Sequence, residues 1–495
     1  MTVLSRLLLS AVTFSSLVVA RWIVPGGRWL DTDGERIRCH AGGITVKKET
    51  GRFFWFGEYK TEDMPEGGGV SVYSSDDLVT WENHGLALIP EEGHEFVAPD
   101  MIIQRPKVAY SKATEQYHMW WHADDEDYSP LLQGLATSPN ITGPYCFVDA
   151  TAPLGNWSQD FGMFTDRNDG RTYALYSNGD SVEGRDVYLS AFNEEITEVE
   201  EVTFRWDKFD LEAPTIIQTD AGYFAIMSHK TGYRPNNVVA FRADDLSGPW
   251  SQPFMIAPPY TRTFSSQSGF SLRIDGTKQT TYLYLGDQWD LNSNWEARYI
   301  WLPIIVDEET QSIKLAWYDV YDLDVETGEV TPIMGETYYA YEDDTVVAGE
   351  AWKQEATFSS GRKIATGIYG NDSTVTFTGI EGAGAKQWVS FYYQNTDDMG
   401  FGDQPYGNPD RIGGVWQIRR ISSVVVNGRE EEVETLWQRD THKDIILSTP
   451  LLLELDEGSE NNITVGGLWN GFDYKGADLD WIVVYPPEPT NGCRG

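Results

Sequence analysis

Four short stretches place a carboxylate beside aromatic or apolar neighbours: Trp55-Phe56-Gly57-Glu58, Trp120-Trp121-His122-Ala123-Asp124, Leu211-Glu212-Ala213-Pro214 and Gly286-Asp287-Gln288-Trp289. Such company suits sugars, whose rings offer apolar C–H faces to aromatic walls and hydroxyls to charged oxygens. Breaking a glycosidic bond needs one group to protonate the leaving oxygen and another to activate water or attack directly. Glu212 is one candidate for such work, and taken alone each of the four is weak: it follows a strand-like run, and Pro214 is expected to hold Ala213 extended. Most of the 76 acidic residues must still be solvated surface.

Other chemistries find less support. The 7 His include no His-Glu-x-x-His pair, which argues against catalytic zinc. There is no Gly-x-Ser-x-Gly elbow and no phosphate-cradling glycine loop. Cys39 beside His40 makes a poor nucleophile–base pair, because neighbours on a strand point to opposite faces. Lys and Arg number 37 against 76 Asp and Glu, a net charge of −39 that repels nucleic-acid phosphates and anionic lipid. An apolar fraction of 41% with 13% aromatics argues against a disordered acidic chain. Three Cys allow one bridge at most, so the core must supply the stability; pairing of Cys39 with Cys146 stays open.

The first 20 residues have a basic start, an apolar run from Leu7 to Val19, and small residues Val18 and Ala20 before Arg21. This layout predicts a signal peptide over 1–20 and a secreted, extracellular product; the run is short for a membrane span. Sequons at Asn140, Asn156, Asn371 and Asn462 fit that route.

These candidates need a frame to hold them. Runs such as Gly43–Lys47, Arg52–Phe56, Thr172–Tyr176, Tyr223–Met227 and Thr281–Leu285 are strand-length and bounded by turn residues, so the chain reads as all-β. Ser74-Ser-Asp-Asp-Leu-Val-Thr-Trp81 resembles Ala243-Asp-Asp-Leu-Ser-Gly-Pro-Trp250; Thr137–Tyr145 has the same build and Ser190–Ile196 a weaker one. A fifth unit is expected near Arg298-Tyr-Ile-Trp-Leu-Pro. Units of this length predict a five-bladed β-propeller over residues 21–333, with a tandem of sandwiches as the alternative. Strand-like runs from 337 to 486 predict a jelly-roll β-sandwich, and residues 487–495 a loose tail.

In these motifs the chain resembles glycoside hydrolase family 43, and within it the secreted exo-β-1,3-galactanases. The resemblance runs through Asp31–Ile44, Trp55–Glu58, Arg105-Pro-Lys-Val108, Met119–His122, Leu211–Pro214, Ser228–Gly232, Thr261–Gln267 and Arg298–Trp301. It implies Glu212 as general acid, Asp160 as the carboxylate that orients it and tunes its pKa, and Gln267 in place of the usual base, positioning the attacking water in an inverting reaction. Gln104, Glu58, Arg105, Tyr128, Trp121 and Asp287 form the implied sugar-binding set. Relatives usually carry Glu at the position of Gln104 and Arg at that of Gln159, so the expected cleft has lost charge.

The second unit resembles a family 35 carbohydrate-binding module, through Tyr339-Ala-Tyr-Glu342 and Ala477–Tyr485. This implies Glu342 and Asp480 as ligands of a structural calcium, although Ala340 replaces an acidic residue of the pattern. No catalytic cofactor is implied, and the expected partner of a monomeric protein is a galactan or arabinogalactan. The wider family also offers α-L-arabinofuranosidase and β-xylosidase activities; a non-catalytic polysaccharide-binding protein is the third alternative.

Overall fold

The computed structural model describes residues 22–64, 68–178, 184–233, 235–290, 293–369, 372–396, 420–467 and 476–489. The expected signal segment and the Asn371 sequon lie outside them. The all-β expectation holds: helix is confined to single turns between strands.

Residues 40–315 form five four-stranded antiparallel sheets, each built from four consecutive strands. The first strands are His40–Val46, Ile102–Ser111, Gln159–Thr165, Leu211–Thr219 and Gln267–Asp275. Each contacts the next in order, and the fifth contacts the first, so the five inner strands close a ring. Apolar clusters fill the spaces between neighbouring sheets. One of them joins Trp55, Tyr73 and Trp81 of the first sheet to Leu283, Tyr299 and Trp301 of the fifth. Segments from the two ends of the first unit meet at that seam, where Ile23 pairs with Tyr321.

The repeated turn motifs have a structural meaning. Those beginning at 74, 137, 190 and 243 close the third strand of the first four sheets. Two of them end on an aromatic that makes the same bond: Tyr145 Oη donates to the Ile141 carbonyl at 3.0 Å, and Trp250 Nε1 to that of Leu246 at 3.1 Å. The fifth unit corrects the expectation. Arg298 opens the third strand of the fifth sheet, Arg298–Asp307, instead of closing it. The turn that follows, Glu308–Gln311, lacks the motif.

The chain passes from Val330–Pro332 into a second unit that begins with Glu336–Tyr339. A six-stranded and a five-stranded antiparallel sheet share one core there. Phe377, Ile463 and Val465 face Phe391, Leu453 and Ile482 within it.

The two units are packed together. Val24 and Val320 of the first join Trp388, Val483 and Tyr485 of the second in one apolar cluster. Asp319 accepts hydrogen bonds from the hydroxyls of Tyr485 at 2.8 Å, Ser448 at 3.0 Å, and Tyr392. Cys39 is buried and Cys146 exposed, and both are free thiols.

Candidate active site

The candidate catalytic residues Asp160, Glu212 and Gln267 lie at the starts of three inner strands, at one mouth of the ring. A shared backbone device aims them. The pairing register slips at the start of each inner strand: between His40 and Gly43, Gln104 and Lys107, Glu212 and Thr215, Ser268 and Phe270, and opposite Leu175–Ser177 for the third. Bulges of this kind redirect side chains next to active sites. Four are built on left-handed residues that are not glycine: Ala41, Arg105, Asp160 and Ala213, with φ of 48°, 53°, 54° and 54°. Ala213 is thus not extended as its proline neighbour led us to expect, because the bulge sets its backbone.

Polar bonds hold these strained residues from strand to strand. Lys107 Nζ donates to the carbonyls of Ala41 at 2.9 Å and Arg105 at 3.2 Å. Arg105 Nε donates to Asp160 Oδ1 at 3.0 Å, and its Nη1 to the Ser268 carbonyl at 3.0 Å. Asp160 Oδ2 accepts the Ala213 amide at 3.1 Å, and Ser268 Oγ donates to the Ala213 carbonyl at 2.7 Å. Gly162 lets the third and fourth inner strands approach, since a Cβ there would lie 2.2 Å from the Pro214 carbonyl oxygen.

Glu212, Asp160 and Gln267 are brought together in this network. Gln267 Nε2 donates to Glu212 Oε1 at 2.9 Å. Its Oε1 accepts from Arg105 Nη2 at 2.6 Å and Trp289 Nε1 at 2.9 Å. Both partners can only donate, which fixes the amide orientation and stabilises its C=O form. Glu212 Oε2 accepts from Arg185 Nη1 at 3.1 Å.

The two carboxyls are driven apart in pKa. Burial, reinforced by the charge of Asp160 and opposed by Arg185 and Arg105, pushes Glu212 up to about 8. Burial acts against the ionised form of Asp160 too, but Arg105, Arg185 and His122 outweigh it and hold its carboxyl below the ordinary aspartate range. Near neutral pH the site therefore holds a protonated Glu212 beside an ionised Asp160, the division of labour that acid catalysis requires.

The implied sugar-binding set divides. Gln104 Nε2 donates to the hydroxyl of Tyr128 at 3.0 Å and reaches that of Tyr233 at 3.4 Å. Asp287 lies opposite Gln267 across the strand pair. Its Oδ1 is buried without a hydrogen-bond partner among the described residues, 3.6 Å from His40 Nδ1. Glu58 is occupied within the protein: Oε1 accepts the Arg105 amide at 2.9 Å and Oε2 sits 3.1 Å from Lys60 Nζ.

Trp121 is a correction. It is fully buried in the cluster between the first and second sheets, with Phe56, Met119 and Ala136, so it packs the fold and faces no cleft. Its neighbour Trp120 fills the next inter-sheet core.

Two functional residues carried no assigned role in the sequence reading. Arg185 follows a glycine in the segment before the strand Val187–Phe192 and gave no signal beyond its charge. Trp289 was visible in Gly286–Trp289, but only the fold shows that it holds the Gln267 oxygen.

The calcium expectation meets a poor donor set. Among the described residues no three His, Cys, Asp or Glu side chains gather as a metal cluster. Both Asp480 oxygens accept the Ser360 amide, at 3.1 and 2.9 Å, and burial raises that carboxyl to about 6. The Lys353 ammonium donates to the Glu342 carbonyl and would repel a cation there. The residues as arranged do not fit calcium.

No curated protein sequence matches the chain. Among solved structures, it resembles the exo-β-1,3-galactanase of Phanerochaete chrysosporium with galactose, at 31% identity and a TM-score of 0.81, over 94% of this chain and 100% of that one. A Glu-to-Gln variant of that enzyme with β-1,3-galactotriose matches equally well, at 31% identity and 0.81 over the same shares. A putative exo-β-1,3-galactanase from Bifidobacterium bifidum matches at 28% identity and 0.55, over 60% of this chain and 97% of that one. The sequence model for glycosyl hydrolases family 43 matches residues 49–255. With an acid–carboxylate pair at the mouth of the ring and a relative this similar along its whole length, the chain belongs to glycosyl hydrolase family 43 and is a glycoside hydrolase.

Proposed function

We propose that the protein is a secreted, monomeric exo-β-1,3-galactanase that releases galactose from the ends of β-1,3-galactan, such as the backbone of arabinogalactan. The observation that carries this reading is the buried carboxyl pair itself: Asp160 Oδ2 accepts the amide of Ala213 next to Glu212, whose own oxygens accept from Gln267 and Arg185. The similar Phanerochaete enzyme, crystallised with β-1,3-galactotriose, supports the choice of sugar. In this reading Glu212 protonates the leaving oxygen. Asp160 holds Glu212 in place through the Ala213 amide, and its charge keeps the acid protonated. Gln267, held in its C=O form, positions the attacking water without serving as a base. Gln104 offers donors and an acceptor to sugar hydroxyls.

The five four-stranded sheets, with inner strands in closed order, support a five-bladed β-propeller. The two-sheet unit after Glu336 supports a β-sandwich of the carbohydrate-binding-module type. Residues 1–20 act as the secretion signal, and no described helix is long and apolar enough to cross a membrane.

Incubation with β-1,3-galactooligosaccharides, arabinan and xylan oligosaccharides tests the function. Galactose release, lost in Glu212→Gln, supports the proposal; NMR should show the inverted α-anomer first. Turnover of arabinan or xylan fragments alone would move the activity elsewhere in the family. Binding without turnover of any of them would make the protein a polysaccharide binder.

A further inference from the structure

Gln267 is preceded by an unusual turn. Arg262, Thr263, Phe264 and Ser265 have φ of 51°, 53°, 58° and 55°, four consecutive left-handed residues with no glycine among them. Each such residue costs about 1–2 kcal/mol relative to the right-handed form, so the surroundings must impose the turn. Inside the first unit, Thr263 Oγ1 accepts the Val238 amide at 2.8 Å, and Ser266 Oγ donates to the Thr263 carbonyl at 2.6 Å. Phe264 packs on Trp317 with ring centroids 5.2 Å apart.

The remaining support comes from the second unit. Arg262 Nη1 lies 2.5 Å from Asp440 Oδ2, and both side chains are largely buried. The adjacent Arg439 donates from Nη2 to the Gln288 carbonyl at 3.3 Å. Gln288 precedes Trp289, whose indole holds the Gln267 oxygen. Two consecutive residues of the C-terminal unit therefore grip the two segments that orient Gln267: the turn before it and the strand end beside it.

We propose that Arg439 and Asp440 are positioning residues for the reaction, and that the C-terminal unit is a working part of the catalytic centre as well as an accessory sheet pair. This rests on the reading of Gln267 as the group that positions water. Loss of the Arg262–Asp440 pair lets the left-handed turn relax, and Gln267 then drifts from the place where water must be held. Misplacement on the scale of an ångström is enough to slow catalysis substantially.

Two measurements on the full-length protein test the idea: steady-state kinetics on β-1,3-galactobiose, and amide hydrogen exchange of the 260–268 peptide. Asp440→Asn and Arg262→Gln are each expected to lower kcat about tenfold with KM within about twofold, the size of a modest loss of orientation. The double variant should be no slower than the slower single, because both break one pair, and Asp440→Glu should recover part of the rate. Exchange at Ser265 and Ser266 should rise in the same variants. Tyr392→Phe, which removes a hydroxyl bonded to Asp319 elsewhere in the interface, should change neither readout.

Unchanged kcat in Asp440→Asn, with or without faster exchange, would overturn the proposal. So would an equal loss in Tyr392→Phe, which would mark general loosening of the interface. If the wild type leaves galactobiose intact, the proposed function fails; faster exchange in Asp440→Asn alone would then still establish the grip on the turn.

Discussion

Asp160 Oδ2 accepts the backbone amide of Ala213, the residue next to Glu212, at 3.1 Å. One carboxylate thus fixes the strand that carries the other, while its charge disfavours ionisation of that neighbour. Position and protonation of the acid are set by the same group.

Activity should fall as pH rises through about 8, where Glu212 loses its proton. Stability follows with the same sign. The folded-state pKa of Glu212 lies above its ordinary 4.5, so the folded protein binds the extra proton between these values. Its contribution is fully present below the unfolded pKa and is lost as pH rises towards and through 8. Glu212→Gln should flatten that loss in melting scans from pH 5 to 9 while lowering kcat by about 10²–10⁴-fold, the span of general acid catalysis.

Asp160→Asn removes the neighbouring charge that helps raise Glu212. The alkaline limb of the pH–rate profile is expected to move to lower pH, with kcat down about a hundredfold from loss of the Ala213 tether. A limb that stays in place would show that burial alone sets the acid.

Arg185→Gln acts in the opposite sense, because Arg185 favours the ionised form of Glu212. The alkaline limb should move to higher pH. We expect kcat to fall about tenfold as the acid loses a partner that fixes its Oε2.

For the C-terminal unit, the Lys353 ammonium at the Glu342 carbonyl predicts that a chelator leaves the melting temperature unchanged. A clear downward shift on chelation, reversed by added calcium, would show that the site takes the metal despite its donors.

Much of this arrangement was legible in the sequence. Strand runs and turn motifs report local chemistry, and the four repeats fall where the structure ends the third strand of four sheets. Glu212, Asp160 and Gln267 were named by the resemblance to family 43, and the fold gathers them. Trp121 misled because both faces of a strand are buried when sheets stack around a ring, so an aromatic pair gives no sign of facing solvent. Ala213 misled because a proline biases its neighbour locally, whereas the bulge is imposed by contacts with Asp160 and Ser268, distant in sequence. Arg185 and the Arg262–Asp440 pair were invisible for the same reason: an arginine's partner is a property of the fold.

The linked bulges also bear on how such a mouth can change over generations. Arg105, Asp160, Ala213 and Ser268 hold one another across four inner strands. A substitution at any of them is felt by the rest, and its effect depends on what already occupies the others. Gln104, whose side chain engages tyrosine hydroxyls among the described residues, stands outside that dependence and can vary alone. A library that randomises Gln104 one position at a time samples specificity, whereas the four interlocked residues yield viable enzymes only when changed as a set.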